Sequence, residues 1–400
     1  MLKIKLSSGL YCAFLVAVVV GYPVVAAVSE LLDINNRLAS VPYRVIVLLL
    51  SLAILCTMVH VRFRLTLFWG AWWLFWGMYL FRIFLDSVLV PDSFPVPVYE
   101  YWMQSVFVCL IPAVAMAAKV DNISERALLS GIAAVGVLGL LLTGVVLIAK
   151  EQVSFGELFS GRLETPTLNP IALGHVAVTV MLISLCGFRI GSLPSKFTYG
   201  ICFLIGVAGL IGSGSRGPIL SLIVVVIAWA ISKSKNFLVM MAAVIFSAPL
   251  FFLLIVDSNS YIVQRVVNGF FDDSGRAEIY RQSLDVLLSN FFDGGGVGPL
   301  GTYPHNLIVE SFMALGVVGG AAFLAMFVSG WFSALKVMAS GRHVWVAVLY
   351  VQYATFVMVS SSLYIANVFW MALACVITVS HSYKAGLVRI NVAHKDEELI

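Results

Sequence analysis

One histidine, four arginines and a glycine-rich turn are the residues best suited to chemistry in this chain of 400 residues. His305 stands where a polar loop meets an apolar run, and it is the one histidine of that loop. The start of a helix is the positive end of its dipole, which disfavours an imidazolium. A neutral imidazole is what a general base requires. The plainer alternative is that His305 caps the span or meets a lipid headgroup. Asn306 follows it, and Glu310 lies four residues further on, on the same helical face. Glu310 suits orienting Asn306 or binding a sugar hydroxyl; its alternative is an ion pair with an arginine.

The turn Gly212-Ser213-Gly214-Ser215-Arg216-Gly217-Pro218 separates two short apolar runs. Small residues there let backbone N–H groups face an anion, and they also simply let helices reverse. Arg216, Arg265, Arg276 and Arg281 offer planar forks that match phosphate oxygens. The competing reading pairs them with Asp257, Asp272, Asp273, Glu278 or Asp285, or with headgroups. Arg216 has no acid close in sequence. Asp272-Asp273 lacks any further ligand spacing, so no metal is expected. His175, one turn into a span, either lines the same cavity or is a satisfied core histidine, and the second reading is favoured. His60, His343, His381 and His394 fall on the opposite side.

The elements that must position these residues are membrane spans. Hydrophobic residues make up 61% and charged residues 11%, and the mean hydropathy of +1.02 excludes a soluble domain. Apolar runs near the roughly 20 residues needed to cross a bilayer recur throughout. The expected fold is all-α, with about 12 transmembrane helices in one membrane domain, residues 1–400. The runs fall at 10–29, 43–60, 65–85, 99–118, 127–149, 170–188, 197–211, 217–231, 237–256, 305–329, 344–361 and 363–381. No cleavable signal peptide is expected, because the first run is long enough to remain a span.

Alternating spans put fifteen of the 24 lysines and arginines on one side, which assigns it to the cytoplasm with both termini. The other nine are Arg37, Arg44, Arg82, Lys150, Arg162, Arg216, Arg265, Arg276 and Arg281, and only one of them is lysine. Arg82 and Asp86, four apart, can pair on one helix face, a structural role. Residues 257–304 form the larger outer, periplasmic loop. Tyr280, Leu284, Leu287, Leu288 and Phe291 recur there at helical spacing, so a short amphipathic helix is expected on the membrane or on the bundle. Glycines 294–296 and 298 break it, and Pro304 suits the first turn of the next span. The six cysteines all sit in apolar runs without metal-ligand spacing.

An outer membrane face has no supply of ATP or nucleotide sugars. Group transfer there needs a donor already activated on a lipid, such as a glycan on a polyprenyl diphosphate. The leaving diphosphate needs fixed cations, which the arginines supply. A transporter or flippase would also show twelve spans, but would need polar groups along a path through the membrane. The polar groups here gather at one face. A scaffold subunit would need neither His305 nor the arginines. No nucleotide-binding or nucleic-acid motif is present.

Three stretches resemble the bacterial O-antigen polymerase and O-antigen ligase superfamily. They are Ser213-Gly214-Ser215-Arg216-Gly217, the outer loop with Arg276 and Gly296-Val297-Gly298, and Tyr303-Pro304-His305-Asn306 with Glu310, Gly316 and Gly319. The likeness covers about 165–320 and is only topological elsewhere. It implies an inverting, metal-independent glycosyl transfer without cofactor, from an undecaprenyl-diphosphate-linked oligosaccharide at the periplasmic face of the inner membrane. Arg216 and Arg276 would bind the diphosphate, with Arg265 and Arg281 nearby. His305 would activate the acceptor, with Asn306, Glu310, Ser215 and Tyr303 orienting substrate. The acceptor glycan is a second lipid-linked glycan in a polymerase, the first choice because of Glu310. It is lipid A–core in a ligase, the second choice, and protein side chains come third. Work as a monomer and work beside a chain-length regulator both stay open.

Overall fold

The computed structural model describes residues 2–56, 66–117, 124–150, 163, 165, 168–233 and 276–397. The span expected at 237–256, the loop up to residue 275 and Arg265 lie outside the described residues. The described residues are mostly helical, with no strand among them.

The chain opens with α1 (Leu2–Val16), a π-helical turn (Ala17–Gly21) and α2 (Tyr22–Leu31), which together make the first span. Next come α3 (Asn36–Cys56), α4 (Leu67–Leu89), α5 (Val98–Trp102), α6 (Ile111–Ala117) and α7 (Glu125–Ala149). Helices α8 (Pro170–Ile190), α9 (Leu193–Ser213) and α10 (Arg216–Lys233) complete the first part. Among the described residues after 275 come α11 (Arg276–Ser289), α12 (Leu307–Ser340), α13 (Val344–Phe356) and α14 (Asn367–Glu397).

Eight segments among the described residues are long and apolar enough to cross a membrane. Every expected span that falls on described residues is met by a helix. Outward-facing Leu67, Leu193 and Leu204 are 91%, 82% and 65% exposed, as a lipid-facing surface requires. Side-chain caps set several starts: Asn169 accepts from the Ala172 N–H, and Pro170 follows at the position that needs no donor.

Helices α8 and α12 are the interior of the bundle. Their spans are 78% and 61% buried, against 22% for α3 and 28% for α9 and α10. Helix α8 packs on α7, α9, α10 and α13, and α12 on α4, α10, α11, α13 and α14. An aromatic wall ties α4 to this interior: Trp76 meets Trp370 of α14 at 4.8 Å, and Phe75 meets Phe323 of α12 at 5.5 Å. Such rings bury large areas and gain further from edge contacts.

Three local expectations change. Helix α12 begins at Leu307 behind an Asn306 cap, so Pro304 precedes the helix instead of opening it. Helix α11 forms as expected and packs on α12, but through Ile279, Ser283, Val286 and Leu287, while Leu284 and Leu288 face outward. The last two spans are shortened. Helix α13 has 13 residues, only about 20 Å of rise. The turn at 357–366 between α13 and α14 therefore sinks into the bundle, where Ser361 and Ser362 are buried.

Helix α12 is also broken. Gly316 adopts φ 64°, ψ −165°, a conformation open to glycine alone. The glycine-rich strap after α11 fills the break. The Val317 N–H donates to Phe291 O at 2.8 Å, and the Gly295 N–H donates to Met313 O at 2.7 Å. A Cβ on Gly316 would stand 2.4 Å from Phe292 O, so the two backbones touch. On its other side the strap is held by α4. The Arg82 guanidinium pairs with Asp86 at 2.8 Å and donates to Asp293 O at 3.1 Å. Asp86 accepts the buried Val297 N–H at 2.7 Å.

Candidate functional site

Two sequence motifs from different helices converge on the sunken turn. The first is the reversal between α9 and α10. Gly214 takes the left-handed conformation (φ 54°) that ends α9. Ser213 donates to Leu210 O at 2.8 Å, and the Ser215 N–H reaches Ser213 Oγ at 3.4 Å. Ser213 and Ser215 are buried, whereas Arg216 and Gly217 are partly open. Helix α10 starts at Arg216, so its first amides point out of the helix without an intrahelical acceptor. No acceptor for the Arg216 or Gly217 amide occurs among the described residues, and the Arg216 guanidinium has no ion pair or hydrogen bond there. An anion placed on this turn would meet a fixed cation and the positive end of a helix together.

The second motif is the start of α12. His305 holds φ 57°, a left-handed backbone that costs a residue with a Cβ about 1–2 kcal/mol. Its ring meets the Tyr303 ring edge-on at 4.6 Å. Burial, and then the nearby Glu310, push the Tyr303 phenol above its usual range, so it stays a neutral hydroxyl. Asn306 caps α12, accepting from the Ile308 and Val309 N–H groups at 3.0 and 3.1 Å. Its amide donates to Met358 O at 3.2 Å, and the Leu307 N–H donates to Val357 O at 3.0 Å. The residue after Met358 completes the link: a Cβ on Gly217 would lie 3.5 Å from Val359 Cγ2. The Arg216 turn and the His305 cap therefore rest on adjacent residues of one buried turn.

Glu310 braces the same turn. Its carboxylate accepts from the Ser362 hydroxyl at 2.5 Å and from the Leu363 N–H at 3.0 Å. It orients neither the Asn306 side chain nor an arginine, as sequence spacing had suggested, because it faces 362–363. The run Ser360-Ser361-Ser362 is the component that sequence reasoning missed. Its signal was a polar triplet between two apolar runs.

The remaining arginines divide. Arg276 opens α11, and it is the strap after the other end of that helix that bonds to the break in α12. Arg281 is 75% exposed and turns to Glu278 at 3.5 Å, so the structure does not bring it to the turn. Arg265 lies outside the described residues. His175 is fully buried on α8, with its ring 4.3 Å from that of Phe356. No group of three or more His, Cys, Asp or Glu side chains capable of holding a metal occurs among the described residues.

Residues 201–324 match the family model described as O-antigen ligase. That stretch belongs to the O-antigen polymerase and ligase superfamily. It runs from α9 into α12, and so takes in the Arg216 turn, the strap and the His305 cap. The sunken turn at 357–366 lies beyond the family match. No curated protein matches the chain.

Proposed function

We propose that this protein is a membrane glycosyltransferase of the O-antigen polymerase type, acting at the periplasmic face of the bacterial inner membrane with both termini in the cytoplasm. The observation that supports this reading is that Gly217, next to Arg216, and Asn306, next to His305, rest on adjacent residues of one turn. The donor is an oligosaccharide on undecaprenyl diphosphate, and the acceptor is the sugar hydroxyl of a second lipid-linked glycan. His305 takes the hydroxyl proton as the acceptor oxygen attacks the anomeric carbon. The bond from that carbon to the diphosphate oxygen breaks, and the electron pair leaves with the diphosphate. Arg216, with Arg276, stabilises the charge that accumulates there. A single displacement of this kind inverts the anomeric configuration and uses neither metal nor cofactor.

A ligase, transferring the finished glycan to lipid A–core, is the second reading. It is supported by the description of the matching family model. Surface glycan from a deletion strain, separated by gel, decides between the two. Core bearing a single repeat unit identifies a polymerase. Bare core, with polymer held on undecaprenyl diphosphate, identifies a ligase. Restoring His305→Ala should leave either defect uncorrected at normal membrane abundance, since a general base contributes about 10²–10⁴-fold. Wild-type glycan from that variant would exclude His305 as the base.

A further inference from the structure

His175 is one of the buried polar side chains among the described residues that this mechanism leaves unused. It is 2% exposed, and neither ring nitrogen has a hydrogen-bond partner among the described residues. Its backbone is well held: Gln352 Nε2 and Thr179 Oγ1 both donate to His175 O, at 2.8 and 2.9 Å. The neighbouring Gly174 fixes the register of α8 against the turn, where a Cβ would stand 2.5 Å from Pro218 Cγ and 2.7 Å from Ser213 Oγ. The ring is thus locked in place while its nitrogens stay idle. An orphaned buried polar group is destabilising and calls for an explanation. The orphan indole nitrogens of Trp72 and Trp76 stand in the aromatic wall against Trp370. His175 stands elsewhere, at the start of α10. A Cβ on Gly217 would lie 3.9 Å from its Nε2, so only the missing side chain separates the imidazole from the first turn of that helix.

We propose that His175 is an inner phosphate contact of the donor site. A phosphate group of the lipid diphosphate would sit on the first turn of α10. There it would accept from the Arg216 guanidinium on its open side and from a neutral His175 Nε2–H on its buried side. Gly217 lacks a side chain so that both can reach it. This inference rests on the diphosphate reading of the Arg216 turn and adds to it a second, uncharged donor on another helix.

The test is a titration of purified full-length protein in detergent with inorganic pyrophosphate, followed by ³¹P NMR, alongside thermal unfolding. His175→Phe should weaken binding about tenfold, the worth of one hydrogen bond to a charged group. Its thermal midpoint should hold or rise, because an orphan polar group has been replaced by a ring that suits Phe356 and Tyr353. Gly217→Ala should also weaken binding while folding normally, since its Cβ meets nothing closer than 3.5 Å. Wild-type affinity in His175→Phe overturns the assignment. Should that variant misfold, wild-type affinity in Gly217→Ala overturns it instead. If Arg216→Ala also binds pyrophosphate normally, or the wild type binds none, the diphosphate reading itself falls.

Discussion

Two arginines of this protein occupy opposite conditions. Arg82 is closed in on α4: Asp86 neutralises it, Asp293 O accepts one of its N–H groups, and Val297 N–H fills the remaining oxygen of Asp86. Arg216 is partly open, has no partner among the described residues, and lies beside an imidazole that also lacks one. Both belong to the nine cations assigned to the same side of the membrane, and composition alone treats them alike. The difference is whether the fold has already used the charge. A satisfied cation holds backbone in place; an unsatisfied one keeps its binding capacity for something that arrives later.

The sharpest way to break this comparison is Arg216→Ala. Transfer activity should fall about 10²–10³-fold, as when a donor to developing negative charge is removed. The thermal midpoint should stay near the wild-type value, because no hydrogen bond or ion pair among the described residues is lost. Arg216→Lys should remain well below wild type, since an ammonium lacks the planar fork. A large drop in the melting temperature of Arg216→Ala would make it a structural residue like Arg82 and remove the contrast.

The opposite pattern is expected at the clamp. Asp86 is 3% exposed, and Asp86→Ala leaves a guanidinium and a buried N–H without their acceptor. Breaking a buried pair in this way costs about 3–5 kcal/mol, reduced here because the Arg82 side chain keeps 22% of its exposure. Denaturation of the purified protein should show that loss. Activity should fall only in proportion to the folded fraction. A variant of normal stability with no activity would transfer Asp86 from the clamp to the chemistry.

A smaller effect is expected at Gly316. Adding a methyl group there strains a backbone conformation reserved for glycine and presses on Phe292 O. A stability loss of about 1–3 kcal/mol should follow, with faster proteolysis of the strap. Unchanged proteolysis would mean that the strap is held by Arg82 and Asp86 alone.

Much of the site could be read in the sequence because its motifs are local. The Ser213–Pro218 turn must reverse the chain between two apolar runs, and His305-Asn306 opens a span; both follow from bilayer thickness and helix capping. The Arg82–Asp86 pair follows from helical spacing. What stayed hidden depends on distant partners. Phe356, Val357, Met358 and Val359 prolong an apolar run, so nothing in their order shows that α13 ends early and that its turn sinks. The break at Gly316 is set by the strap at 291–295, not by the residues around it. His175 looked like an ordinary core histidine, because the absence of partners is a property of packing. Which face of α11 meets the bundle is hidden for a related reason: Ile279, Ser283, Val286 and Leu287 turn inward, while Leu284 and Leu288 stay exposed.

The clamp between α4 and the strap also has a history in time. Asp86 and Val297 are 211 residues apart, so at ordinary synthesis rates the ribosome needs roughly 10–40 s to deliver the second after the first. During that interval Asp86 is without the strap that it will hold. The i,i+4 spacing of Arg82 gives the carboxylate a counterion on its own helix, one that does not have to wait for the strap.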